Sequence, residues 1–139
     1  MKKSELDLTL LKNSLATLKE CWTDLNLQQD EKIKIYIKDS CIQRFEYTYE
    51  SAKKIMNKFL KKEYDKTEKD LSINNIFREM YSLGLIKNFE HWVDYREKRN
   101  ITSHEYDIKL TYPILDCIAD FIDDVEFLIN NLENILTND

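Results

Sequence analysis

Ile42-Gln43-Arg44-Phe45-Glu46-Tyr47-Thr48-Tyr49-Glu50-Ser51-Ala52-Lys53-Lys54-Ile55-Met56-Asn57-Lys58-Phe59 decides the fold. Its apolar residues Ile42, Phe45, Tyr49, Ala52, Met56 and Phe59 recur at alternating steps of three and four, which is one stripe of an α-helix and no strand pattern. Upstream, Ile33, Ile35, Tyr36 and Ile37 form a denser run, and no turn residue separates it from the stripe. The reading is one long helix from about Glu31 to Glu63. On the N-terminal side, Leu8, Leu11, Leu15, Leu18, Trp22 and Leu25 repeat the spacing, and Ser4 with Asp7 resembles a capping box that starts the helix nearby. On the C-terminal side a third stripe runs Ile114, Cys117, Phe121, Val125, Leu128, Leu132, Ile135. A large apolar side chain contributes roughly 1.5–3 kcal/mol when fully buried, so three stripes facing one another can offset chain entropy, whereas none is stable alone in water. With one glycine and one proline in 139 residues, there is too little punctuation for a strand-rich fold. The expectation is a single all-α domain over residues 1–139, an up-and-down antiparallel helical bundle.

Between the second and third stripes the pattern breaks. Tyr64 to Leu71 is polar and reads as a loop. Ser72 can cap a short helix carrying Ile76, Phe77, Met80 and Leu83, which Gly84 ends by going left-handed. Asn88 can cap another, carrying Trp92 and Tyr95. Pro113 either starts the last helix or kinks it, and the sequence leaves this open.

Composition excludes several classes of function. No apolar run is long enough to span a bilayer, and no apolar stretch follows the charged N-terminus as a signal peptide would. Cys21, Cys41 and Cys117 are odd in number and widely spaced, which fits small buried residues and neither a disulfide framework nor a zinc site. These features point to a soluble, cytoplasmic protein. A net charge of -5 argues against strong non-specific nucleic-acid binding. The charge is uneven: beyond Lys109 there is no Lys or Arg, and Asp116, Asp120, Asp123, Asp124, Glu126, Glu133 and Asp139 give that segment -7, leaving about +2 for the rest by difference. Such a strip is more often a solvated face than a docking face for a basic partner.

One constellation has plausible chemistry, Arg99-Asn100-Ile101-Thr102-Ser103-His104-Glu105-Tyr106. Arg99 is a permanent cation whose planar fork can hold a phosphate with two parallel bonds. His104 titrates near neutrality and can move a proton. Tyr106 adds a hydroxyl and a stacking ring. Together they suit binding or cleaving a phosphodiester. Equally, Arg, Asn, Ser and His at a helix junction can satisfy backbone groups and close the bundle, and composition alone favours that reading. His91 lacks comparable neighbours and reads as a packing residue beside Trp92.

The Arg-x-x-x-x-His-x-Tyr pattern resembles the signature of the HEPN superfamily of small helical bundles. The stretch from Trp92 to Asp107 is more particularly similar to the nucleotidyltransferase substrate-binding proteins within it. Ile42 to Glu50 is similar to that family's second-helix pattern, and Arg78-Glu79 followed by Gly84-Leu85-Ile86 to its short middle helix and turn. The resemblance implies a HEPN-like four-helix bundle with extra short helices that forms a homodimer. It implies a separately encoded minimal nucleotidyltransferase as partner, with nucleotide or RNA as further ligands, no membrane and no cofactor. It also implies roles. Arg99 would hold phosphate and His104 would be the acid–base residue of a metal-independent ribonuclease toxin. Asn100 would position both, Ser103 would belong to the same binding motif, and Tyr106 would be the candidate site of nucleotide addition by an antitoxin partner.

The chain is not itself the nucleotidyltransferase. Such enzymes need metal held by an Asp-x-Asp pair after a Gly-Ser turn, but here the single glycine precedes Leu85 and no Asp-x-Asp occurs. Three readings follow: the helical subunit of a two-component nucleotidyltransferase system, a ribonuclease toxin, and a bundle whose Arg-His region is structural. Abundant Tyr and Trp, and apolar residues between Tyr64 and Asn100 that three stripes do not cover, add an expected homodimer with the Arg99–Tyr106 segments near a shared cleft. Asp116, Asp120 and Asp123 share one helix face and are the expected contact for a basic partner surface.

Overall fold

The structure, a computed structural model, describes residues 6–67, 69–104 and 108–137, and the side chains of all of these except 103, 104 and 108–110. Five α-helices follow in chain order: α1 (Thr9–Leu27), α2 (Glu31–Tyr64), α3 (Ile73–Ser82), α4 (Phe89–His104) and α5 (Ile118–Thr137). A 3-10 helix, Ile108–Cys117, precedes α5, and no strand occurs among the described residues. None of the described helices is long and apolar enough to cross a membrane.

Local chemistry accounts for most boundaries. Asp30 caps α2, its Oδ1 accepting from the amides of Lys32 at 2.9 Å and Ile33 at 3.3 Å. The helix then runs without a break to Tyr64, one residue beyond the expected end, and Asp65 closes it in a left-handed conformation with φ 51°. Gly84 ends the α3 turn as expected, with φ 74°. The Leu85 amide donates to the Met80 carbonyl and the Gly84 amide to that of Tyr81, each at 2.9 Å, the paired bonds of a Schellman turn. Asn88 caps α4, its Oδ1 accepting from the His91 amide at 3.0 Å.

Three expectations need correction. Ser4 lies outside the described residues, and α1 begins at Thr9, where Asp7 Oδ1 accepts from the Thr9 amide at 2.9 Å. Ser72 precedes α3 but makes no side-chain cap bond. Pro113 neither starts nor kinks α5. It sits inside the 3-10 helix, where its missing N–H cannot close an α-turn, and the chain reaches α-helical geometry only at Ile118.

The three-residue turn between α1 and α2 makes them an antiparallel hairpin, and α5 packs against α1. Ion pairs Lys12–Glu133 and Lys19–Glu126 run in opposite directions along α1 and α5, fixing these two as antiparallel. All three cysteines are buried free thiols. The expected stripes form the core, with Leu11, Leu18, Phe45, Ala52, Met56, Phe121, Val125, Leu128 and Leu132 fully buried. An aromatic cluster ties four helices together. Phe121 of α5 meets Phe45 of α2 at 4.7 Å and Tyr95 of α4 at 4.9 Å between ring centres, while Trp92 contacts Tyr95 at 5.4 Å and Phe77 of α3 at 5.8 Å. The first three pairs are edge-to-face and Trp92–Phe77 is tilted; aromatic pairs of this kind contribute about 0.5–1.5 kcal/mol each beyond burial, so they fix how α4 is seated on the bundle.

Candidate functional site

Helix α4 carries the motif from Arg99 to His104. Its Asn88 cap sets the start, and buried Trp92 and Tyr95 lock one face against the core, which rolls Arg96 and Arg99 toward α2. Arg99 is half-buried and lies over two carboxylates of α2, its Nη1 at 3.7 Å from Glu46 Oε2 and its Nε at 3.3 Å from Glu50 Oε1. The Nε contact lacks hydrogen-bond alignment, so it is a charge contact only. Nη1 also donates to Thr102 Oγ1 at 3.2 Å, and that hydroxyl donates back to the Arg99 carbonyl at 2.7 Å. Glu50 is shared further, with Lys53 Nζ at 3.2 Å from its other oxygen. Beneath this network Tyr49 is buried, and loss of hydration pushes its phenol above the ordinary range, with Glu50 adding to the rise.

Of the expected site residues, Arg99 and Asn100 are both on α4, Asn100 on its exposed side. Ser103 and His104 occupy the end of α4, with side chains outside the described residues, and Tyr106 lies outside the described residues altogether. Glu46 and Glu50 were given no site role from sequence, and neither was Thr102, although it stands inside the Arg99–Tyr106 constellation. Two glutamates one turn apart beside an apolar stripe are the signal that could have found the first two.

A second constellation joins α4 to α5. Asp124 is 1% exposed, and its Oδ2 accepts from the Tyr95 hydroxyl and, at 2.8 Å, from His91 Nδ1. Lys87 Nζ lies 3.9 Å from Oδ1, which has no hydrogen-bond partner among the described residues. Burial, then the bond to Asp124, pushes the Tyr95 phenol far above its ordinary range. His91 is therefore no mere packing residue: it is half-exposed, with one ring nitrogen committed to a buried carboxyl group. Among the described residues, no group of three or more His, Cys, Asp or Glu side chains is placed to hold a metal ion.

The fold has known counterparts. The protein HI0074 of Haemophilus influenzae, described as revealing the fold of a substrate-binding domain of a nucleotidyltransferase, superposes with a TM-score of 0.82 at 28% identity, covering 91% of this chain and 99% of that one. The protein ttk003001694 of Thermus thermophilus superposes with a TM-score of 0.72 at 25% identity, over 88% of this chain and 98% of that one. In sequence, a probable ribonuclease HepT of Haemophilus influenzae is 37% identical over 94 residues, 66% of this chain and 64% of that protein, so the match spans less than two thirds of the relative. Residues 6–134, which hold both constellations and every helix described above except the last three residues of α5, match the family model for nucleotidyltransferase substrate binding protein like proteins. The chain belongs to that family.

Proposed function

We propose that the chain is the HEPN-type helical subunit of a two-component system. It pairs with a separately encoded minimal nucleotidyltransferase and either binds that enzyme's nucleotide or nucleic-acid substrate or is itself the target. The observation that carries this reading is the whole-chain likeness to a protein described as a substrate-binding domain of a nucleotidyltransferase. In this reading Arg99, Asn100 and Ser103 form the binding motif, and Tyr106 is the residue that would receive nucleotide. Co-expression with the neighbouring nucleotidyltransferase is expected to give a stable complex by size exclusion. Separate migration of the two proteins, with no change in mass at Tyr106, would sink the proposal.

A second reading, a metal-independent endoribonuclease using Arg99 and His104, is favoured by the HepT likeness. The state of Arg99 ranks it lower. Glu46 and Glu50 neutralise the guanidinium, and two carboxylates beside it repel a phosphate, so the side chain must exchange partners before it can grip RNA. The two readings separate on purified protein free of its partner. A ribonuclease loses all cleavage in His104→Ala and at least tenfold in Arg99→Lys, which keeps charge but not the planar fork. A pairing protein shows no cleavage above the His104→Ala background and still binds the nucleotidyltransferase.

A further inference from the structure

Near the turn of the α1–α2 hairpin two thiols face each other. Cys21 of α1 and Cys41 of α2 are 20 positions apart in sequence, and their Sγ atoms are 3.1 Å apart. Cys21 Sγ also lies 3.5 Å from the Ile37 carbonyl oxygen, one turn before Cys41 on α2. A disulfide needs the sulfurs at about 2.05 Å, so closure asks for an approach of roughly 1 Å, within reach of small side-chain rotations on two packed helices. The two cysteines differ in access. Cys41 is fully buried, whereas Cys21 is 8% exposed and forms part of the wall of an open cavity of about 270 Å³. Thr17, Glu20, Asp24, Ser40 and Arg44 complete much of that wall, with Arg44 bonded to the Ser40 hydroxyl. The cavity has a mixed polar and apolar lining and is large enough to admit a small oxidant such as a peroxide.

We propose that Cys21 and Cys41 are a peroxide-oxidisable pair that closes to an intrachain disulfide and staples α1 to α2. Cys21 reacts first because it alone of the two borders the cavity. Its thiolate attacks one peroxide oxygen, the O–O bond breaks, and water leaves, giving a sulfenic acid on Cys21. Cys41 Sγ then attacks that sulfur, the S–S bond forms, the S–O bond breaks, and a second water leaves with the Cys41 proton. Two thiols and one hydrogen peroxide thus become one disulfide and two waters. Burial raises the Cys41 thiol well above its ordinary range, so Cys41 acts only as the resolving partner. The stapled hairpin is the one that presents exposed Leu27, Ile33, Ile35 and Tyr36, so oxidation stiffens the scaffold of an apolar surface.

The test treats the full-length reduced protein with excess hydrogen peroxide, alkylates it in denaturant and maps the unreduced digest by mass spectrometry. Expected is one cross-linked pair joining the Cys21 and Cys41 peptides, with Cys117 recovered alkylated. Cys117 is the internal control: it is 8% exposed like Cys21, but it does not line the cavity and burial pushes its thiol up to about 12. Dithiothreitol reverses the link, and the oxidised protein melts about 5 °C or more above the reduced one. In Cys41→Ser, where no resolving thiol remains, dimedone traps a sulfenic acid on Cys21. Recovery of Cys21 and Cys41 as free thiols, their separate conversion to sulfinic acids, or a cross-link through Cys117 would each overturn the proposal. The wild-type map decides it even if the serine variant does not fold.

Discussion

Asp124 shows what a single carboxyl group does inside an apolar bundle. Burying it without partners would cost several kcal/mol, and the bonds from Tyr95 and His91 supply the compensation. The same arrangement fixes an alkaline weakness. Tyr95 and Tyr49 both have phenols raised above the ordinary value near 10, chiefly by burial. Above that pH the unfolded chain loses protons that the folded chain keeps, so the unfolded state binds fewer and stability falls as pH rises. Each such group contributes a slope of about 1.4 kcal/mol per pH unit, present only between the unfolded and folded values. Tyr95→Phe is expected to remove one such contribution, so its denaturant-measured stability declines less steeply than wild type between pH 10 and 11. An unchanged slope would mean that the phenol is not held protonated by the fold. Part of this was legible in sequence. Asp124 falls three residues after Phe121 and four before Leu128, on the apolar stripe itself, and not with Asp116, Asp120 and Asp123 on the outer face. Its partners were not legible, because Tyr95 and His91 lie 29 and 33 positions away and meet it only when α4 and α5 pack.

Among the elements, α2 was the easiest to read, since an aspartate cap, a sustained stripe and no Gly or Pro for its whole length leave the backbone one regular solution. The segment after α4 was the hardest. Pro113 forbids an α-turn at its own position but does not say which alternative the chain takes, and packing of Ile114 and Cys117 into the core selects the tighter helix. Gly84 offers a clean test of the α3 turn. No atom lies within 4 Å of where its side chain would project, so Gly84→Ala meets only the backbone cost of φ 74°. The expected loss is about 1 kcal/mol, and Gly84→Asn, which tolerates the left-handed region, should recover a good part of it. Equal losses in both variants would point to packing instead. Asp120 and Asp123 on α5 and Asp116 on the 3-10 helix before it are all exposed, but Asp116 lies outside the α-helix that was expected to align the three on one face. If this face steers a basic nucleotidyltransferase, replacing all three with Asn should slow association about tenfold at low salt and flatten its salt dependence. An on-rate equal to wild type would leave the face to solvent.

At the scale of the whole molecule, we propose that a second copy docks on the surface beside the Arg99 network. Tyr47 on α2 is 61% exposed and Ile101 on α4 is 48% exposed. They flank, in sequence, the Arg99–Glu46–Glu50 network that holds these two helices together, so an apolar rim borders charges already neutralised among themselves. Such a surface is easier to desolvate than open charge, because the carboxylates and the guanidinium keep their partners when water leaves. It would also bring two Arg99–Tyr106 segments to one cleft, as the two-fold symmetry of a homodimer requires. Interfaces of stable dimers bury about 800 Å² per subunit, so Tyr47 and Ile101 would be anchors within a larger patch. The expected result is a dimer mass by light scattering at micromolar concentration. Tyr47→Glu combined with Ile101→Glu should shift the protein to monomer, since four unpaired carboxylates would enter one interface, while leaving helical circular dichroism unchanged. Tyr36→Glu, at the far exposed end of the α1–α2 hairpin, is the matched control and should remain a dimer. A monomeric wild type rules out the dimer. A dimer lost only in Tyr36→Glu moves the interface to the hairpin, and the two motif segments then function apart.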